Sequence, residues 1–479
     1  MMILGSDIMG NRPKKVILVR YHDKGNINTR LPESLNKVQG VLPPLGIAYI
    51  AAFLEQNGVN VSIIDVQGLN MTSAEFAKAI EDKKPDIVAI TCMTPTFHGA
   101  LEAAKMCKKA GATVVLGGSH ISVYPKESLQ PDFVDFGIVG EGEYTLAELV
   151  DALENESDYS TIKGLAYKKD GNVIINQARI VKDIDTLPFP AYHLLPMKKY
   201  SSVIGLHPVS TMISSRGCPY RCGFCFKQPS DKVFRTRNPY SVVDEMEMLV
   251  TKHGVKEIMF YDDTITVKRS HIEGICNEIL KRDLKVKWES PTRIDLVDKE
   301  LLTLMKKAGC IRLRYGVESG DPRILELMNK KITIDRVQEV FALTKKVGLE
   351  SFAYFIIGYA TETPHTMQGT IDLAKKINPD FVMFTIATPY PQTPLHTLSV
   401  TNGLIDPDYW RKFTLGEDVG RMPYLIPDAE EWIKKAYRSF YLRPSFIFKK
   451  AKKLRSWSTF KKYCAGAWGL VRFNMLPED

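Results

Sequence analysis

Ser214-Ser215-Arg216-Gly217-Cys218-Pro219-Tyr220-Arg221-Cys222-Gly223-Phe224-Cys225-Phe226-Lys227 is the stretch around which the rest of the chain is organised. It carries three thiols within eight residues at the spacing Cys-x3-Cys-x2-Cys, close enough for one short loop to bring all three onto one metal centre. Thiolates are soft ligands and hold iron-sulfur clusters, which usually take four cysteines. With three, one iron is left without a protein ligand, and an open coordination position is what a catalytic metal site keeps and a structural one closes. Two plainer readings stand beside this one: a zinc site short of a ligand, or cysteines that simply pack. Zinc motifs usually add a second Cys-x2-Cys pair or histidines downstream, and none follows here.

Outward from the motif, short apolar runs alternate with helical patterns. Strands are expected at 210–215, 256–261, 286–290, 311–317, 352–357 and 381–387. The first five are each followed by an amphipathic helix, several stopped by glycine at Gly254, Gly309 and Gly348. In β/α barrels the active site lies at the carboxyl ends of the strands. That edge gathers the three cysteines after the first strand, Asp262-Asp263 after the second and Pro291-Thr292-Arg293 after the third. Glu318-Ser319-Gly320 follow the fourth, Gly358 with Glu362 the fifth, and Pro389-Tyr390-Pro391 the sixth. Glu318 reads either as an acid favoured by a helix N-terminus or as a carboxylate set for a ligand. Arg293, Asp262 and Asp263 are equally ligand groups or internal polar pairs.

The N-terminal third has the same rhythm. Strands are expected at 15–19, 59–65, 86–91, 113–116 and 133–139, with helices over 45–56, 97–109 and from 143, and a capping box of Thr72 with Glu75. This predicts a doubly wound, Rossmann-like sheet within residues 1–153. Ligands of such sheets bind beyond the carboxyl ends of the strands. Small and polar residues collect there: 91–96, Gly117-Gly118-Ser119-His120 and Gly140-Glu141-Gly142-Glu143. His22, His98 and His120 read as ordinary polar loop residues rather than ligands. Residues 154–205 read as a linker, with a hairpin around 169–172 and prolines at 188, 190 and 196.

A chain of 479 residues exceeds what one core usually organises. The divisions expected are 1–153, the linker, an open barrel over 206–400 and a helical region over 401–479. Eight cysteines do not make a disulfide scaffold; Cys92, Cys107, Cys276, Cys310 and Cys464 read as small buried hydrophobes. No apolar run is long enough to cross a bilayer and no leader pattern opens the chain, so a cytoplasmic protein is expected. The net charge of +9 is uneven: from Lys434 to Arg472 there are twelve Lys and Arg and no Asp or Glu, leaving −3 (+9 less +12) elsewhere. Lys449-Lys450-Ala451-Lys452-Lys453-Leu454-Arg455-Ser456-Trp457 mixes basic and aromatic residues as a helix on the inner membrane face would, although a basic run is also a plain solvated face. No nucleic-acid module accompanies the charge, so no nucleic-acid partner is expected.

The cysteine stretch, with the aromatic Phe224 before its last thiol, closely resembles the radical S-adenosylmethionine (SAM) enzymes. The resemblance implies a 4Fe-4S cluster on Cys218, Cys222 and Cys225, SAM on the fourth iron, a 5′-deoxyadenosyl radical, and a barrel of six β/α units. It further implies that Glu318 holds the SAM ribose or amino group, that Phe224 and Gly358 flank adenine, and that Arg293 pairs with the methionine carboxylate unless it is a barrel salt bridge. The N-terminal loops, with Pro43-Pro44-Leu45-Gly46, resemble the cobalamin-binding domain of one radical SAM subgroup. By that likeness Thr94, Gly117, Gly118, Ser119 and Glu141 lie near the corrin and its tail. Tyr21-His22-Asp23-Lys24-Gly25 departs from the Asp-x-His-x-x-Gly of histidine-ligated cobalamin domains, so no histidine is expected below cobalt; a domain that binds no cofactor is the alternative. Phe440-Tyr441-Leu442-Arg443-Pro444 resembles the tail of enzymes related to the anaerobic chlorophyll-ring cyclase and the hopanoid methylases. The expected activity is cobalamin-dependent methylation of an unactivated carbon or phosphorus centre, with cyclisation or rearrangement as the alternative. The expected partners are a small-molecule or lipid-like substrate and a flavodoxin or ferredoxin as electron donor.

Overall fold

The computed structural model describes residues 14–22, 40–202, 204–420 and 424–452. These form two compact units, taken separately below.

Near-continuous apolar runs make strands that are buried on both faces of a parallel sheet. In the first unit these are β1 (Lys15–Arg20), β2 (Asn60–Asp65), β3 (Ile87–Thr91), β4 (Thr113–Gly117) and β5 (Phe136–Ile138), parallel in the order β2-β1-β3-β4-β5. Val16 pairs with Val61 on one side and Ile87 on the other. The helix Leu45–Gln56 buries Ile47, Ala51, Ala52 and Leu54 against this core. The capping box of Thr72 and Glu75 opens the helix Ser73–Lys83, as its sequence predicts. The stretch expected to be a linker departs from that description. β6 (Leu165–Lys169) and β7 (Asn172–Ile175) form an antiparallel hairpin that continues the sheet from β5. Its two-residue turn puts Asp170 at φ 51° and Gly171 at φ 75°, both left-handed, which suits the twist of paired strands.

The second unit holds β8 (Val209–Met212), a short antiparallel ribbon of β9 (Ser215–Arg216) with β10 (Arg235–Thr236), and then β11 (Glu257–Phe260), β12 (Trp288–Thr292), β13 (Cys310–Glu318), β14 (Glu350–Ile357) and β15 (Phe381–Ile386). The six long strands lie parallel in chain order, β8-β11-β12-β13-β14-β15, and curl as an open barrel with helices outside. Tyr315 on β13 points outward and its hydroxyl bonds Thr344 Oγ1 on the helix Ile334–Val347 at 2.8 Å. β12 runs two residues later than expected, because the Val286 N–H is taken by Leu284 O in a preceding turn. The amino ends are closed by charge: Arg312 bonds Glu289 at 2.5 Å, Glu257 at 3.2 Å and Glu350 at 2.8 Å.

β15 is the edge strand, and the helix Ala429–Tyr441 covers it. The Tyr437 hydroxyl accepts from Phe384 N–H (3.2 Å) and donates to Phe384 O (3.1 Å). Tyr441 does the same at Val382, 3.0 and 2.7 Å. Helix Pro394–Thr401 lies ahead of the expected helical region, 401–479, in which Tyr409–Leu415 and Pro444–Lys452 are the other described helices. Cys92, Cys107, Cys276 and Cys310 are buried as expected; Cys464 and the basic run past residue 452 lie outside the described residues.

Candidate active site

The cysteine loop leaves β9 through a turn that only glycine makes easily. Gly217 has φ 87°, and a Cβ there would lie 2.4 Å from Val233 O. The loop is then pinned along its length. Cys218 N–H donates to Asp231 O at 2.9 Å, Gly223 N–H to Met328 O at 2.8 Å, and Leu395 N–H to Gly223 O at 2.7 Å. Asn329 Nδ2 holds Arg221 O at 2.7 Å. Gly223 admits the Tyr359 hydroxyl, which would sit 2.7 Å from a Cβ; burial, and then the neighbouring Cys222, push that phenol up to about 12. All three thiols are free, with Cys225 exposed and Cys218 and Cys222 partly so. Among the described residues no three His, Cys, Asp or Glu side chains converge tightly enough to hold a single ion. Two cations attend the loop: Lys227 Nζ bonds Cys218 O at 2.5 Å, and Arg293 Nη1 lies 3.7 Å from Cys222 Sγ.

Glu318 ends β13 in the left-handed region, φ 69°, at a register shift between Gly316 and Glu318. Bulges of this kind re-aim a side chain beside active sites. The carboxylate is buried and bonds Lys330 Nζ at 2.7 Å. Gly316 makes the room, since a Cβ there would fall 2.2 Å from Glu318 Oε1 and 2.7 Å from Lys330 Nζ. Lys330 Nζ in turn lies 5.8 Å over the Phe224 ring, which packs with Ile324, Met328, Ile356 and Tyr359. Gly358 has φ 80°, and its N–H and that of Tyr359 donate to Glu362 Oε2 at 2.7 and 3.0 Å. Burial pushes the Glu362 carboxyl up to about 7. Arg293 bonds Asp295 at 2.9 Å, stacks 3.8 Å over Tyr220 and donates to Lys330 O at 2.7 Å. It is therefore a salt-bridged residue in the second unit that also faces the cysteine loop.

Asp262 belongs to the second unit's internal bonding. It accepts from Ser214 N (2.7 Å), Ser214 Oγ (2.6 Å) and Ser215 Oγ (2.5 Å), with His271 Nε2 3.0 Å from Ser214 Oγ. Burial pushes its carboxyl up to about 6. Lys330 escapes sequence reading because a lysine is almost always exposed unless paired, and its partner lies twelve residues away on another element.

In the first unit the loops after β3, β4 and β5 share the carboxyl edge of the sheet. Gly118 has φ 103° and would bring a Cβ to 2.2 Å from Cys92 O, so this turn offers bare backbone. Thr94 is buried, its hydroxyl 3.1 Å from His120 Nδ1. Ser119 begins the short helix Ser119–Val123, which contains His120. His120 is thus not the polar loop residue expected: it is fully buried, its ring packs tilted with its centroid 4.1 Å from that of Phe97, and burial lowers it to about 3, keeping it neutral. His98 lies in the helix Phe97–Lys109. Glu141 Oε2 accepts from Val181 N–H at 2.7 Å.

Family models for a B12 binding domain and for the radical SAM superfamily match residues 34–150 and 212–374. The chain is 36% identical over 413 residues to an uncharacterized methyltransferase of Pyrococcus horikoshii, covering 85% of this chain and 89% of that protein. The chain belongs to the cobalamin-dependent radical SAM enzymes. It is also 30% identical to the anaerobic magnesium-protoporphyrin IX monomethyl ester cyclase of Rubrivivax gelatinosus, over 86% of this chain and 76% of that one. Its fold matches that of the methyltransferase TsrM of Kitasatospora setae, solved with cobalamin and a [4Fe-4S] cluster, with a TM-score of 0.65 at 19% identity over 82% of this chain and 75% of that chain. The cofactors of this cobalamin-dependent radical SAM enzyme are cobalamin, SAM and a 4Fe-4S cluster. Three free thiols on one pinned loop and a glycine-lined sheet edge suit them.

Proposed function

We propose that this enzyme transfers a methyl group from SAM to an unactivated carbon or phosphorus centre of a small-molecule or lipid-like substrate, by 5′-deoxyadenosyl radical chemistry. The observation that carries the reading is the crowding of the three-thiol loop, Phe224, the Glu318–Lys330 pair and the Gly358–Glu362 turn on one strand edge, in a chain that also has a B12 binding domain. When bound, the cluster and cobalamin supply one-electron cleavage of the SAM sulfonium and a carrier for the methyl group. The chain holds, orients and excludes. Cys218, Cys222 and Cys225 would each take one iron. Glu318, fixed by Lys330, would receive the ribose or amino group of SAM, with Phe224 and Gly358 beside adenine and Arg293 toward the methionine carboxylate. A primary alkyl radical attacks most C–H bonds, so Ile356, Tyr359 and Leu395 serve by keeping water out and the intended hydrogen near. In the first unit Thr94, Gly117, Gly118, Ser119 and Glu141 would line the corrin.

The test uses SAM labelled in its methyl carbon, supplied to the anaerobic holoenzyme with extract of the cells that make it. Label in a product formed together with 5′-deoxyadenosine supports methyl transfer; an altered product without label contradicts it. That second outcome fits cyclisation or rearrangement, the reading favoured by the 30% identity to the Rubrivivax gelatinosus cyclase.

The electron would come from a flavodoxin or ferredoxin. No described helix is long and apolar enough to cross a membrane. The helix Pro444–Lys452 nevertheless turns Ile447 and Phe448 outward, 53% and 63% exposed, while Phe446 is held 5.3 Å from Phe440. In a stretch of sequence, 434–472, that carries twelve Lys and Arg and no acidic residue, this fits peripheral contact of a cytoplasmic protein with an anionic bilayer. Sedimentation with anionic but not zwitterionic vesicles, weakened in Ile447→Asp, is the expected result; equal recovery with both would oppose it.

A further inference from the structure

The inner face of the open barrel is only partly filled. Alternation along β13 turns Arg312, Arg314, Gly316 and Glu318 to the concave side, and partners two strands away on either hand agree: Arg312 reaches Glu257 on β11 and lies 5.2 Å from the Phe381 ring on β15. These four positions are successive layers. The lowest is closed, with Arg312 buried among Glu257, Glu289 and Glu350. The highest is the Glu318–Lys330 pair beside the cysteine loop. Between them Gly316 has no side chain, and Arg314 keeps 17% of its side chain exposed.

Arg314 is answered in part: its guanidinium lies 5.8 Å over the Phe352 ring and interacts with the Tyr354 hydroxyl. Its Nη2 bonds Glu289 Oε1, but Glu289 also serves Arg312, and Arg314 Nε is shielded from water with no hydrogen-bond partner. A guanidinium has five donors, and a buried one left unmet costs about 1–3 kcal/mol. The wall around Arg314 remains accessible as well: Tyr354, Met383 and Thr385 are half-buried and Tyr261 is 52% exposed. Barrel interiors that are pure core bury such layers.

We propose that Arg314 anchors an anionic group of the substrate, a carboxylate or a phosphate, at the floor of the open barrel beneath the SAM site. Four residues of strand separate it from Glu318, roughly 13 Å. A substrate gripped at its acidic end by Arg314, against Tyr261 and Tyr354, therefore extends its reacting atom toward the cysteine loop. The inference rests on the methyl-transfer reading and gives it a substrate class.

The experiment divides extract of the producing cells by anion exchange and offers each fraction, with methyl-labelled SAM, to the anaerobic holoenzyme. Label is expected in the retained, anionic fraction. Methyl-esterification of that fraction abolishes labelling if the group is a carboxylate, and phosphatase treatment does so if it is a phosphate. Arg314→Lys keeps the charge but loses the fork, so labelling at limiting extract falls about tenfold or more and recovers at high extract; Arg314→Met does not recover. Iron content and melting temperature are measured on both variants, since a purely structural role would change these without separating limiting from saturating extract. Label confined to the unretained fraction, or labelling that ignores both treatments and both substitutions, overturns the anchor and leaves methyl transfer standing. Label in neither fraction while 5′-deoxyadenosine forms overturns methyl transfer and the anchor together.

Discussion

Glu318 is held in an unfavourable backbone conformation by what surrounds it: a glycine two residues before, a bulge in the ladder, and Lys330 at 2.7 Å. Strain of about 1–3 kcal/mol at such a residue persists only where neighbours over-determine it. Lys330→Met would leave a buried carboxylate unpaired, which costs about 3–5 kcal/mol. A lower melting temperature and weaker SAM binding are expected, with Lys330→Arg close to wild type; calorimetry and SAM titration check both. Glu362 gives a pH dependence. Its carboxyl is raised from 4.5 to about 7, so the folded protein holds this proton more tightly than the unfolded chain. The stability this adds is complete below about 4.5 and is lost as pH rises through 7. Wild type should therefore lose melting temperature across that window relative to Glu362→Gln, which keeps an acceptor for the Gly358 and Tyr359 amides; parallel curves would refute it. At this scale the thiols were legible, because their spacing is local. Lys330 and the burial of His120 were not, because both depend on partners brought together by folding.

Among the elements, the strand edges show what periodicity reveals and what it hides. Apolar runs, each of the first five followed by an amphipathic helix, locate all six strands of the open barrel; β8 (Val209–Met212) ends three residues early, and β12 starts late because a turn takes the Val286 N–H. The hairpin of β6 and β7 was legible as a hairpin but not as part of the first sheet: a turn signal gives a strand pair without saying what it pairs with. The covering of β15 had no signal either, since Tyr437 and Tyr441 look like any aromatic face of a helix. Each hydroxyl replaces the bonds a seventh strand would make, which protects an otherwise open edge. Replacing both by Phe strips four hydrogen bonds from the edge and should cost about 2–4 kcal/mol. The expected result is a lower denaturation midpoint and faster aggregation with activity per folded molecule retained; an unchanged midpoint would mean the hydroxyls do not support the edge.

For the whole molecule, composition and charge separated an ordinary globular body from a basic tail, and two strand-helix series foretold two α/β units. They could not supply what those units work on, because substrate identity lives in a few inward side chains such as Arg314 whose neighbours come from distant strands. The central claim is that one chain carries two separately held cofactors. It is tested most directly by iron, sulfide and corrinoid analysis of anaerobically purified wild type and Cys222→Ala from cells supplied with cobalamin. About four irons and one corrinoid per wild-type chain are expected, with Cys222→Ala losing iron and SAM cleavage but keeping its corrinoid. Iron without corrinoid even after reconstitution, or 5′-deoxyadenosine still formed by Cys222→Ala, would contradict it.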